Sequence, residues 1–138
     1  MIVQLLQGAV LVAVTVAIHG AALGWAMWWL KSARAGTLWR SYVILARLAV
    51  VCVFAHLVEI MVWAVFYVWY DVMPDLETAG YFSAVTYATI GYGDVTPPEY
   101  WRLLASMEGL TGILMCAWSG GFMFAVVLRL QEPRGTQR

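Results

Sequence analysis

Thr89-Ile90-Gly91-Tyr92-Gly93-Asp94 is the stretch on which the reading of this 138-residue chain turns. Its two glycines stand at alternate positions. A backbone without a Cβ visits conformations closed to other residues there, so successive carbonyls can be aimed at one axis instead of alternating outward. Gathered from four copies, the carbonyls of Thr89, Ile90, Gly91 and Tyr92 would stack as oxygen rings able to replace the water around a dehydrated cation, with Gly93 closing the run. The Thr89 hydroxyl adds one further ring at the inner end. Tyr92 supplies a large ring expected to wedge against the preceding helix, and Asp94 a carboxylate that attracts cations and braces the loop.

The rest of the chain suits a membrane. It is 63% hydrophobic and 12% charged and carries eight Trp, more apolar surface than a soluble core of this size hides. A net charge of zero, with no basic run interleaved with aromatics, gives no reason to expect nucleic acid. Cys52 and Cys116 fall inside apolar spans and read as small buried hydrophobes, neither a disulfide nor a metal pair. The amino terminus lacks a positive n-region and its apolar run outlasts a signal-peptide core, so a retained transmembrane helix is expected over 1–30.

Within that helix Gln4, Gly8, Thr15, His19, Ala22 and Ala26 recur at helical spacing as a small, weakly polar stripe, which should face protein, not lipid; His19 is expected to hydrogen-bond to another helix. A basic loop over 31–41 follows Trp25, Trp28 and Trp29. By the positive-inside rule it is cytoplasmic, which puts the amino terminus outside. An outer helix over 42–70 returns outward and breaks at Met73-Pro74-Asp75. Counted along the chain, Lys31, Arg34, Arg40, Arg47, Arg129, Arg134 and Arg138 fall on one side, and Arg102 on the other.

Residues 76–89 are too few to span a bilayer and too apolar to lie in water. They predict a re-entrant helix, with Asp75 as its N-cap, Glu77 near its positive end and its carboxyl end facing mid-membrane. After the 89–94 loop, Thr96-Pro97-Pro98-Glu99 has the spacing of a capping box, opening an inner helix over 97–130. Residues 131–138 form a short tail.

The segment YFSAVTYATIGYGDVTP, Tyr81 to Pro97, resembles the pore helix, selectivity filter and outer turn of the tetrameric potassium-channel superfamily, with Ile90 in the Val place of TVGYG. By that resemblance Tyr81 and Phe82 take the place of the aromatic pair behind the filter. Ala88 stands where many relatives have a second Thr, and Val85 where some have a bracing Glu. Leu103 to Leu130 is similar to the inner helix of bacterial inward-rectifier-type channels, which implies gating roles for Gly112 as a hinge and Phe124 as a hydrophobic constriction, with Gly120 a second candidate. Packing notches compete with hinges at these glycines.

Glu59 and Glu108 are costly in hydrocarbon unless paired or neutral. Counting from their helix ends puts both at similar depth beside the pore helix, with His56 one turn from Glu59. One hydrogen-bonded network of Glu59, Glu108 and His56 behind the filter is expected, as a static polar brace or, in the sharper reading, as a group whose titration makes conduction pH-sensitive. No helix carries a regular row of Arg or Lys, so no voltage sensor is expected. The tail leaves no room for a cytoplasmic regulatory domain in this chain.

The expected protein is therefore all-α: three transmembrane helices plus a re-entrant pore helix and filter loop, four identical chains forming a pore with K⁺ ions in the filter. It is no enzyme and needs no cofactor. Its expected activity is passive, selective K⁺ conduction across a prokaryotic plasma membrane. The alternatives are the ion-translocating subunit of a K⁺ uptake transporter and a non-conducting modulatory subunit.

Overall fold

The computed structural model of the chain describes residues 2–32 and 37–131. Expectations for Met1, for 33–36 with Arg34, and for the 132–138 tail with Arg134 and Arg138 lie outside the described residues. Four α-helices follow one another: α1 (Ile2–Ser32), α2 (Leu38–Trp69), α3 (Leu76–Tyr87) and α4 (Arg102–Gln131), the last preceded by a 3-10 turn at Glu99–Trp101. No strand occurs among the described residues. Of these helices, α1, α2 and α4 are long and apolar enough to cross a membrane. At 1.5 Å per residue, the 32 residues of α2 overshoot a hydrocarbon core of roughly 30 Å, so the bundle must tilt or extend into the interfaces.

Local chemistry sets the helix ends, and several differ from the sequence expectation. Thr37 is extended and its hydroxyl oxygen accepts from the Arg40 N–H at 3.5 Å. That cap starts α2 at Leu38 instead of 42, so the expected 31–41 loop loses Lys31 and Ser32 to α1 and Leu38 to Ser41 to α2. Helix α2 ends one residue short of Tyr70. Asp71 adopts φ +53°, and the Val72 and Met73 N–H groups both turn back onto the Tyr67 carbonyl, burying Val72 and Met73. Asp75 caps α3: its carboxylate accepts from the Thr78 N–H at 2.7 Å and the Thr78 hydroxyl at 3.1 Å. Those donors hold the Asp75 carboxyl below the ordinary carboxylate range. At the start of the inner helix the expected capping box does not form. Pro97 and Pro98 hold the approach extended, Glu99 turns to Arg102 at 3.8 Å, and α4 proper begins at Arg102, not 97.

Small residues let the helices approach, which membrane packing requires in place of a hydrophobic drive. Gln4, Gly8, Leu11, Thr15, His19, Leu23, Ala26 and Leu30 of α1 are buried against α2 and α4 of the same chain. The polar stripe thus faces protein, except at Ala22, which is only half-buried and yields its place to Leu23. Gly8 receives the tip of Met107, and the Gln4 amide donates to the Tyr100 carbonyl. Two apolar clusters result. One, around Leu11, Trp63, Tyr67, Phe82 and Leu104, holds α3 in the fold; the other joins Ala26, Leu30, Ile44, Leu48 and Val126 at the opposite end. There Arg47 lies 5.9 Å from the Trp29 ring centre, a cation–π contact suited to an interface. Cys52 is buried as expected, whereas Cys116 is exposed on the single chain, and both thiols are free.

Candidate functional site

Helix α3 delivers the chain to the Thr89–Asp94 loop and then holds its start. The Ala88 N–H donates to Ala84 O at 3.0 Å, Thr89 N–H to Thr86 O at 2.9 Å, and Ile90 N–H to Val85 O at 2.9 Å, with Gly91 N–H also facing Val85 O at 3.4 Å. Each bond consumes an amide donor and leaves the same residue's carbonyl unused. The helix therefore ends at Tyr87 instead of 89. Its last carbonyls, expected to face mid-membrane, are partly capped by the loop.

Thr89, Gly91 and Gly93 all have positive φ, at +58°, +60° and +79°. The two glycines do what their spacing predicts. Thr89 is the addition: a β-branched residue held in the left-handed region, where its Cβ costs free energy that the surrounding hydrogen bonds must offset. Positive φ at every second residue rotates alternate peptides, which is the backbone condition for carbonyls to share one side.

The loop's outer end is tied to α3 by side chains. Tyr81 O–H donates to Asp94 Oδ2 at 2.6 Å, and that donor holds the Asp94 carboxyl below its ordinary range while pushing the Tyr81 hydroxyl up. Phe82 points the other way, edge-on to Tyr67 at 5.3 Å between ring centres. The expected aromatic pair thus splits between two jobs. Tyr92 does not wedge against α3 of its own chain: it is 70% exposed, because the amide bonds to α3 end at Gly91.

Behind the loop lie the two intramembrane carboxylates, both fully buried. They do not form the single expected network. Glu108 accepts from Tyr67 O–H at 2.7 Å and from the Ser83 hydroxyl, which also reaches the Ile60 carbonyl at 2.9 Å. Glu59 accepts from the Tyr87 hydroxyl and meets His19 Nδ1 at 2.9 Å, with His56 Nδ1 3.5 Å away. The reason is α3 itself: Ser83 and Tyr87, one turn apart on one face, each take one carboxylate. His56 goes with Glu59, not Glu108.

The Glu59 cluster closes on itself. His56 Nδ1 lies 3.0 Å from the Tyr87 hydroxyl, and Ser119 Oγ lies 3.1 Å from His19 Nε2 and 3.2 Å from His56 Nε2. Glu59, His19, Ser119, His56 and Tyr87 thus form a ring drawn from all four helices. The sequence singled out Glu59 and His56 and gave His19 an interhelical bond. It missed Tyr87 and Ser119, as it missed Ser83 and Tyr67 beside Glu108. The signal available was hydroxyls at helical spacing within apolar runs.

The expected gating positions divide. Gly112 is buried, and a Cβ there would fall 2.8 Å from the Tyr87 carbonyl carbon, closer still to its oxygen, so α4 approaches the end of α3 through this glycine. Gly120 has open space around it within the chain, Phe124 is 65% exposed, and α4 runs unbroken past all three.

A family model described as ion channel matches residues 55–129, more than half of the chain. No curated protein and no solved structure matches.

Proposed function

The chain belongs to the ion channel family, and from that premise we propose that it is a K⁺-selective channel formed by four copies and conducting passively. The observation that carries this reading is the loop at Thr89–Asp94. Amide hydrogens of Thr89 to Gly91 are spent on α3, while positive φ recurs at Thr89, Gly91 and Gly93. Carbonyls of Thr89, Ile90, Gly91 and Tyr92, with the Thr89 hydroxyl, then replace K⁺ hydration in single file, and Gly93 closes the run. Na⁺ is discriminated against by ring size and carbonyl number.

The tetramer is supported by what the single chain leaves uncovered. Buried positions of α4 run along one face at Leu104, Glu108, Thr111, Met115 and Ser119, whereas Leu110, Ile113, Leu114, Phe124 and Leu128 are exposed on the others. Ile90 and Tyr92 are exposed with them. Neighbouring copies would cover these groups, Tyr92 packing on the next chain's α3. Phe124 and its symmetry mates, with Gly120 one turn away, form the constriction near the cytoplasmic end. Gly112 serves close packing behind the filter. Glu108 and Glu59 support the filter through Ser83 and Tyr87, and the Tyr81–Asp94 bond supports it from outside. Lys31, Arg40, Arg47 and Arg129 face the cytoplasm of a prokaryotic cell, leaving α1 to start outside.

Purified protein in liposomes, with no other component, tests the reading. K⁺ flux that exceeds Na⁺ flux and is blocked by Ba²⁺ is expected. Flux that needs ATP or a partner would make the chain the translocating subunit of an uptake system, and silence would make it a modulatory subunit.

A further inference from the structure

We propose that His19, His56 and Glu59 form an intramembrane binding site for a divalent transition metal of the Zn²⁺ class. One ligand atom from each lies within 4.8 Å of the other two. His19 Nδ1 stands 2.9 Å from one Glu59 carboxylate oxygen and His56 Nδ1 3.5 Å from the other. Tetrahedral zinc with bonds of about 2.0–2.1 Å to nitrogen and oxygen spaces neighbouring ligand atoms about 3.3 Å apart. Each imidazole–carboxylate pair is near that spacing, and loading asks the side chains, whose ligand atoms lie within 4.8 Å of one another, to draw in around one ion.

The outer partners are those a metal site needs. Both Nε2 atoms converge on Ser119 Oγ, at 3.1 and 3.2 Å. A hydroxyl oxygen has two lone pairs, so it accepts from both N–H groups at once and leaves both Nδ1 atoms bare for the cation. Without a metal the same Ser119 has a single proton to offer two imidazoles, and one of them must donate back. A fourth donor is present in the Tyr87 hydroxyl, bonded to Glu59 and 3.0 Å from His56 Nδ1. The single carboxylate offsets part of a cation's charge in this layer between two apolar clusters. Donor type narrows the choice. Two imidazoles and a carboxylate suit zinc-class ions, whereas Mg²⁺ and Ca²⁺ take six or more oxygens and Cu⁺ prefers sulfur.

The site draws on α1 and α2 for ligands, α4 for the outer hydroxyl and α3 for Tyr87, two residues before Thr89. A bound ion would therefore fasten the first helix to the base of the loop.

Full-length protein in detergent, freed of metal by a chelator, is titrated with Co²⁺ and followed by its visible d–d absorption, with equilibrium dialysis for stoichiometry. One Co²⁺ per chain with a four-coordinate nitrogen–oxygen spectrum is expected, displaced by Zn²⁺. Ser119→Ala, which keeps all ligands, should weaken binding about 10- to 100-fold. His19→Gln and Glu59→Gln should weaken it more, with gel filtration showing that each variant keeps its assembly. Cys52→Ser/Cys116→Ser should bind as wild type does. Absence of saturable binding by the wild-type chain, binding indifferent to His19→Gln and Ser119→Ala, or binding lost with the cysteines would each overturn the proposal. No flux enters this assay, so a silent channel would leave its result readable.

Discussion

Gly112→Ala is the substitution whose effect the structure fixes most closely. A methyl at this position would lie 2.8 Å from the Tyr87 carbonyl carbon and 3.1 Å from its Cα, where ordinary contact begins at 3.4 Å. The α4 backbone must then retreat by at least about 0.6 Å, the difference between 3.4 and 2.8 Å, and by more to clear the Tyr87 carbonyl oxygen, which lies nearer still, or α3 must yield. Both opponents are main chain, so neither can rotate away. Overpacking of this kind costs about 1–3 kcal/mol, here at the upper end. Ala regains about 1 kcal/mol of helix propensity over Gly. The net is about 2 kcal/mol, roughly a 30-fold loss in the folding equilibrium. Gly8→Ala supplies the control: its Cβ would meet Met107 Sδ at 2.5 Å, but that is the free end of a flexible side chain. It should be close to neutral, whereas Gly109→Ala, whose nearest neighbour is the Thr86 carbonyl at 3.4 Å, an ordinary contact, should gain up to about 1 kcal/mol. The assay is thermal loss of the assembled peak on gel filtration, with the K⁺/Na⁺ flux ratio in liposomes as second readout. Gly112→Ala should melt earlier and lose selectivity, because a shift of about 0.5 Å is the tolerance of a preorganised site. Wild-type melting and selectivity in Gly112→Ala, or equal damage from Gly8→Ala, would refute the packing argument and return Gly112 to a hinge.

Three further outcomes are expected. The Tyr81 hydroxyl lowers the Asp94 carboxyl pKa, so the tie is fully present above the ordinary Asp value of about 3.9 and is lost only as pH falls through the lowered one; flux should stay flat down to about pH 5, and Tyr81→Phe should move the acid loss upward. Thr15→Val leaves the Trp63 Nε1–H, which donates to Thr15 Oγ1 at 3.1 Å, buried without an acceptor; melting should show a loss of about 1–3 kcal/mol, and the further loss that Thr15→Val causes in a Trp63→Phe background should be smaller. Glu108→Ala orphans the Tyr67 hydroxyl, whereas Ser83 keeps the Ile60 carbonyl at 2.9 Å; a double-mutant cycle should find that Tyr67→Phe rescues it and Ser83→Ala does not.

Long spans were legible because three runs of apolar residues leave little freedom of interpretation. Asp75 was legible as a cap because its role is local. Thr37 carried the same kind of local signal, but the cluster of basic residues around it drew the helix start four residues too far on. The capping box at Thr96 failed for the opposite reason, since two prolines overrode a pattern that was otherwise correct. Glycine spacing announced Gly91 and Gly93, but nothing in its side chain announces that Thr89 is held left-handed; the bonds from α3 impose it. Likewise depth along the helices placed Glu59 and Glu108 together, whereas azimuth separates them. Only a three-dimensional arrangement shows that Ser83 and Tyr87 stand between them.

The first helix supplies His19 to Glu59, Thr15 to Trp63 and Gln4 to the Tyr100 carbonyl. This has a consequence for biogenesis. A ribosome delivers α1 to the bilayer before α2, so the helix bearing Glu59 enters lipid beside a partner already waiting. An acidic residue mid-helix opposes translocon insertion by a few kcal/mol on its own. The two helices are thus fitted to integrate as a hairpin, and a shortened chain starting at α2 would have to insert Glu59 without its His19 partner, with only His56 of the same helix nearby until Tyr87 follows.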